Sequence, residues 1–205
     1  MSAPLDAAPR LGRLIVLSGP SGVGKDTVIR RLVELAPIIV RPVAYTTRAP
    51  RPGEHDGREY SFVSRGEFEA MRAAGEFLET ATVHGNLYGT ARERVERLRA
   101  EVRDVLLKID VQGAAQLRSK QPDALFIFLA PPSRDVLLQR LKQRETESLA
   151  ELDTRTRDAE RELREASWYH HRVVNDEVDR AAREIAAILY PGPGRKPDEH
   201  PATMA

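Results

Sequence analysis

The chain contains no cysteine, which excludes a disulfide framework and thiolate chemistry. It also lacks an excess of either charge. Its 32 Lys+Arg and 31 Asp+Glu leave a formal net charge of +1, against the concentrated basic surplus of a dedicated nucleic-acid binder. No apolar run approaches the length of a membrane span, and no hydrophobic signal segment precedes the first strand-like run, so the expected location is the cytoplasm. The histidines, His55, His84, His170, His171 and His200, show no metal-ligand spacing. Lysine is scarce: only Lys25, Lys108, Lys120, Lys142 and Lys196 stand among the 32 cations. A lysine at an unusual place therefore draws notice.

At 205 residues the chain suits one compact α/β domain with insertions, large enough to bury a substantial core. Strand-like apolar runs recur at 14–17, 38–43, 105–111, 125–129 and 173–174. Helical periodicity separates most of them, over 24–35, 91–103, 113–120, 133–144, 148–167 and 177–189. This alternation predicts a parallel sheet flanked by helices, with ligands at the carboxyl ends of the strands. Residues 46–90 break the rhythm with turn signals at Pro50, Pro52-Gly53 and Asp56-Gly57, and predict a small mixed α+β lobe. The core is then 13–45 and 91–190. Residues 1–12, rich in Ala and Pro, and 191–205, opened by Pro191-Gly192-Pro193-Gly194, are expected to be disordered tails.

The first strand-like run leads into Gly19-Pro20-Ser21-Gly22-Val23-Gly24-Lys25. Strand, glycine-rich turn and helix-opening lysine make a phosphate-cradling P-loop. Its backbone N–H groups form an anion nest, and Lys25 adds a mobile charge for the outer phosphates. The usual next residue is Ser or Thr, whose hydroxyl holds Mg²⁺. Here it is Asp26, followed by Thr27. A second charged stretch alternates Arg140, Arg144, Arg155, Arg157 and Arg161 with Glu145, Glu147, Glu151, Asp153 and Asp158. Two readings stand: a solvated, salt-bridged helix pair, or an arginine lid over a nucleotide, about 138–160.

With the P-loop and the stretch Thr46-Thr47-Arg48-Ala49-Pro50-Arg51-Pro52-Gly53-Glu54 through Tyr60, the chain resembles guanylate kinase over roughly residues 13–190. Gly75–Glu79, Gly85–Thr90, Ile109–Gly113, Ala130–Ser133 and Val173–Asp176 carry the same likeness. The resemblance implies a P-loop NTPase-type α/β core with an inserted GMP-binding lobe and a helical lid, and transfer of the γ-phosphate of Mg·ATP to GMP or dGMP. The implied substrates are ATP and GMP, with Mg²⁺ as cofactor and no nucleic acid, membrane or obligate protein partner; a monomer or homodimer is expected. Guanine presents one acceptor and two neighbouring donors on its pairing edge, and the resemblance assigns these to Thr90 and Glu79, with Asp110 nearby. Adenine at Glu79 leaves a buried mismatch that discriminates on the order of 10⁴-fold. Arg48, Arg51, Tyr60 and Tyr88 match the contacts to the GMP phosphate. Gly19–Thr27 match the ATP phosphate site, Asn175 a position near adenine, and Arg140, Arg144 and Arg155, with Lys25, the cations that act on the moving phosphoryl group.

Three positions depart from the family pattern. Ala44 stands where many relatives carry a guanine-side serine, Asp26 where Ser or Gly is usual, and Lys108 where an acid is common. Asp26 and Lys108 read as one charge swap, in which Asp26 supplies the acidic contact to Mg²⁺ or its waters while Lys108 pairs with Asp26 or with phosphate. The plainer alternative is that Asp26 caps the helix and Lys108 reaches solvent. Two other functions also fit a P-loop chain: a non-catalytic binding module, and a kinase for a different phosphorylated acceptor.

Overall fold

A computed structural model describes residues 11–83, 85–142, 157 and 161–191. Strand β1 (Leu14–Ser18) is buried along its whole length, as a run of Leu, Ile and Val covered on both faces must be. It is the central member of a five-stranded sheet. On one side lie β7 (Asp104–Lys108) and then β2 (Ile39–Val40); on the other lie β8 (Leu125–Ala130) and then β9 (His171–Val174). Every pairing is parallel. Alternation sorts the side chains of β1: Ile15 and Leu17 enter one core with Val28, Ile29 and Leu32 of α1 (Lys25–Leu35). Leu14 and Val16 enter the other with Val95 of α3 (Arg92–Ala100) and Leu117 of α4 (Val111–Lys120).

The insertion folds as a second sheet, ordered β4 (Tyr60–Phe62), β3 (Ala44–Thr46), β6 (Asn86–Ala91), β5 (Phe77–Val83). The strand expected over 38–43 is shorter than its apolar run. Only Ile39–Val40 joins the main sheet, and the chain resumes as β3 in the lobe. Pro42 lies in this break and lacks the N–H that a continuing ladder needs. The lobe's helix α2 (Arg65–Ala73) starts on a capping box in which Ser64 and Glu67 bond each other's backbone N–H. Phe68 stacks on Phe77 at 4.6 Å in a small core of its own. Arg94 of α3 ties this lobe to the main domain, donating to Val43 O at 2.7 Å, Ser61 Oγ at 3.0 Å and the Tyr45 hydroxyl at 2.7 Å.

The remaining helices, α5 (Arg134–Lys142) and α6 (Val178–Leu189), form where periodicity predicts them. The helix expected over 148–167 lies largely outside the described residues; residues 161–164 are helical and run into a 3-10 turn at Glu165–Trp168. Apart from residues 11, 12 and 191, the expected tails also lie outside the described residues.

Candidate active site

The loop after β1 ends on Gly24, whose φ of 94° lies in the left-handed region, where a side chain is strained. A Cβ there would also lie 2.6 Å from the Asn175 amide nitrogen. Gly24 is the N-cap of α1, and no side chain caps that end. The first-turn N–H groups therefore remain available to an anion. The Lys25 ammonium donates to the carbonyls of Gly19 and Pro20. Burial, with a further push from Lys108, lowers its pKa to about 8 against the partial support of Glu162. It is a desolvated cation held by carbonyl dipoles, with no ion pair among the described residues.

A cavity of about 300 Å³ runs from this loop to the base of the lobe hairpin. At its far end Glu79 of β5 and Thr90 of β6 are cross-strand partners, and the Thr90 hydroxyl donates to Glu79 Oε1 at 2.6 Å. Glu79 is only 3% exposed. Burial drives its pKa up to about 7, with the Thr90 hydroxyl opposing and the Asp110 charge adding. Asp110 is the N-cap of α4 and accepts from the Gly113 N–H at 2.8 Å. Burial raises its pKa too, against that hydrogen bond and Lys25. Gly113 matters for what it lacks: a Cβ there would lie 2.5 Å from Glu79 Oε2.

A second cavity of about 500 Å³ opens beside the first, sharing Asp26, Arg51, Tyr60, Tyr88 and Lys108 with it. Sheet register builds its aromatic wall. Tyr60 pairs with Ala44 and Tyr88 with Thr46 on either side of β3, and the two rings meet edge-on at 5.8 Å. Arg48 projects here with its Nη2 2.9 Å from both carboxylate oxygens of Glu54, and lies 5.6 Å from the Tyr60 ring centre. Glu54 also accepts from the Arg51 backbone N–H at 2.8 Å, so one carboxylate orients the Arg48 guanidinium and pins the turn that carries Arg51. At the junction of the cavities Lys108 donates to Asp26 Oδ1 at 2.8 Å, with Arg41 3.9 Å away. Burial pulls the Asp26 pKa up, but Lys108, Arg41 and Lys25 together hold it below the ordinary carboxylate range.

The fold thus brings Gly19–Thr27, Arg51, Tyr60, Glu79, Tyr88, Thr90 and Asp110 around one cavity, with Arg48 in the adjoining one. Arg140 and Asn175 sit behind the loop instead. Arg140 donates to Val23 O at 3.4 Å and Asn175 O at 3.2 Å, and the Asn175 amide donates to Val23 O at 2.7 Å. Arg144 and Arg155, like most of the lid expected over 138–160, lie outside the described residues. Two site residues escaped the sequence reading. Glu54 was visible inside the Thr46–Tyr60 block, but its role as an orienter of Arg48 needs the folded turn. Glu162 lines the first cavity and was hidden in a charged stretch without distinguishing pattern. Among the described residues no group of three or more His, Cys, Asp or Glu forms a metal cage. A divalent cation here would take one carboxylate, Asp26, beside the Thr27 hydroxyl and rely on phosphate and water for the rest, as Mg²⁺ commonly does.

The comparisons with known proteins concern the same span of chain. A family model for guanylate kinase matches residues 11–191. Guanylate kinase of Geobacter sulfurreducens is 43% identical over 180 residues, covering 88% of this chain and 89% of that protein. Guanylate kinase of Symbiobacterium thermophilum is 48% identical over 178 residues, covering 87% and 84%. The crystal structure of guanylate kinase from Anaplasma phagocytophilum superposes with a TM-score of 0.73 at 35% identity, covering 88% of this chain and 85% of that one. The likeness takes in both the P-loop core and the inserted lobe, and the chain belongs to the guanylate kinase family.

Proposed function

We propose that the two connected cavities hold the substrates of guanylate kinase activity end to end, with GMP under the lobe and ATP over the P-loop. The reaction moves the γ-phosphoryl group of ATP to the GMP phosphate, giving ADP and GDP. One observation carries the placement: a buried carboxylate and hydroxyl, Glu79 and Thr90, line the same cavity as the P-loop. Ionised Glu79 accepts from guanine N1–H and the exocyclic amino group, and the Thr90 hydroxyl serves the carbonyl edge by turning its single O–H from Glu79 to guanine O6. Arg48, Arg51 and the hydroxyls of Tyr60 and Tyr88 face the GMP phosphate as planar charged forks and neutral donors.

The acceptor phosphate is largely dianionic at neutral pH, so no general base is needed. Catalysis reduces to aligning two polyanions and stabilising the charge between them. Lys25 and the loop N–H groups take the ATP phosphates. Arg140, with Arg144 and Arg155, is assigned to the transferring group, and Asn175 to the adenine side, by the family resemblance alone. When bound, Mg²⁺ neutralises phosphate charge; Asp26 and Thr27 are the residues that would hold it or its waters. Use of dGMP, a cytoplasmic location and a monomeric or homodimeric state complete the proposal.

Coupled ADP release measured with GMP, dGMP, AMP, CMP, UMP and a sugar phosphate tests it. GMP is expected to exceed AMP by about 10³-fold or more in kcat/KM. Comparable turnover of AMP would remove Glu79 from base recognition, and turnover of none would make the chain a binding module.

Gly113→Ala provides a narrower check on the base site. The new methyl meets Glu79 Oε2, so the carboxylate must leave its position against Thr90. The KM for GMP is expected to rise about tenfold with that for ATP unchanged, a loss of one well-placed contact. Alanine favours the helix over glycine, but the displaced Glu79 loses its buried hydrogen bond to Thr90, so thermal stability should not rise. An unchanged KM for GMP would show that Glu79 accommodates the methyl without cost to recognition.

A further inference from the structure

Lys108 closes β7 and is followed within two residues by Asp110, the N-cap of α4. A strand in the sheet and a capped helix therefore hold its backbone on both sides. In-register pairing with Leu17 puts it beside the strand that feeds the P-loop. Its side chain is 19% exposed, whereas that of its partner Asp26 is 71% exposed. The ammonium lies 5.8 Å from the Tyr60 ring centre. Of the residues shared by the two cavities, Lys108 and Arg51 are the cations.

We propose that Lys108 is a catalytic residue of this chain, leaving Asp26 to contact the phosphoryl group in transit where the ATP and GMP cavities meet. The proposal rests on the two-substrate placement above and adds a role at the junction of its two cavities. Three physical points carry it. An ion pair with one member largely in solvent is worth little, so exchanging Asp26 for phosphate is inexpensive. The junction is where two polyanions must approach, and a preorganised cation there acts on charge present only as they meet. Releasing Lys108 also frees the more exposed Asp26 for a hydrated cation.

In the step itself, the bond from the γ-phosphorus to the β,γ-bridging oxygen breaks. A bond to an oxygen of the GMP phosphate forms, and the departing electron pair stays on the β-phosphate of ADP. Lys108 takes no bond in the step and stabilises the equatorial oxygens.

The test uses a dinucleoside pentaphosphate that joins adenosine to guanosine and so places phosphate at the junction, alongside ATP and GMP singly, with affinities read by calorimetry. Lys108→Met is expected to weaken the dinucleotide about 100-fold while changing ATP and GMP alone by less than about threefold. Those retained mononucleotide affinities also report an intact fold, and Lys108→Gln, measured in parallel, should behave likewise. Lys108→Arg should recover most of the loss. The Asp26→Asn/Lys108→Met double variant should not recover it. Recovery there would reduce Lys108 to a neutraliser of Asp26 and overturn the proposal, as would equal dinucleotide affinity in wild type and Lys108→Met. If the wild-type chain binds the dinucleotide no better than it binds GMP, the end-to-end placement itself fails, a result distinct from failure of Lys108 alone.

Discussion

Glu79→Gln is expected to lower kcat/KM for GMP by about 10³-fold or more while leaving ATP affinity intact. The glutamine keeps an oxygen for the Thr90 hydroxyl, which lies 2.6 Å from Glu79 Oε1. It loses the second acceptor and presents an amide donor to guanine's donors, a buried mismatch. The same change should stabilise the unliganded protein. Glu79 has a folded pKa of about 7 against an ordinary 4.5, so the folded chain retains a proton that the unfolded chain has lost as pH rises between those values. Stability therefore falls across that window, and above it this group costs on the order of 3 kcal/mol. Glutamine removes the cost, so its melting temperature should exceed wild type by several degrees near pH 8 and by little near about pH 5. GMP binding to the wild type follows the opposite sign: guanine's donors need the ionised carboxylate, so affinity should fall about tenfold per pH unit below pH 7. A pH-independent GMP affinity between about pH 6 and 8 would place the base elsewhere.

Lys25→Met should lower kcat by about 10³-fold, the scale for loss of a preorganised charge at a developing anion. The mechanism also leaves a proton signature. With a pKa of about 8 in the empty loop, Lys25 is roughly half neutral near that pH, and a polyphosphate beside it restores the charge. ATP binding should then take up about half a proton near pH 8 and almost none near about pH 6.5. Calorimetry in two buffers of different ionisation enthalpy measures the uptake, which Lys25→Met should abolish. Uptake that survives the substitution would assign the proton to another group.

Arg94 joins the lobe to the main domain, as does the Gln116 side chain through its two hydrogen bonds to the Thr80 backbone. The Arg94 bonds to Val43, Ser61 and Tyr45 span the crossing between the main domain and the second sheet.

The sequence by itself determined the architecture of the core, because buried parallel strands must be continuous apolar runs and covering helices must repeat near 3.6 residues. The P-loop was legible for a related reason: its glycines occupy backbone conformations that other residues avoid, so local chemistry betrays them. The lobe was less legible. Its long hairpin mixes polar and small residues, and the strand expected over 38–43 stops after Ile39–Val40 before crossing to the second sheet.

What only the tertiary structure decided are contacts between residues far apart in the chain, whose strength no local pattern encodes. Glu79 meets Thr90 through hairpin register, and Glu79 clears Gly113 because an atom is missing from another element. Asp26 and Lys108 stood out in the sequence as two unusual charges. Parallel pairing of β1 with β7 is what brings Lys108 to the P-loop side of the sheet, where the two charges lie 2.8 Å apart. Arg140 and Asn175 point to the same limit from the other side. Their residue types suit phosphate and base, but the packing of α5 and β9 against the loop turns both toward the Val23 carbonyl. Residue type follows from sequence, whereas direction follows from how elements pack, since a side chain can face only the space its neighbours leave.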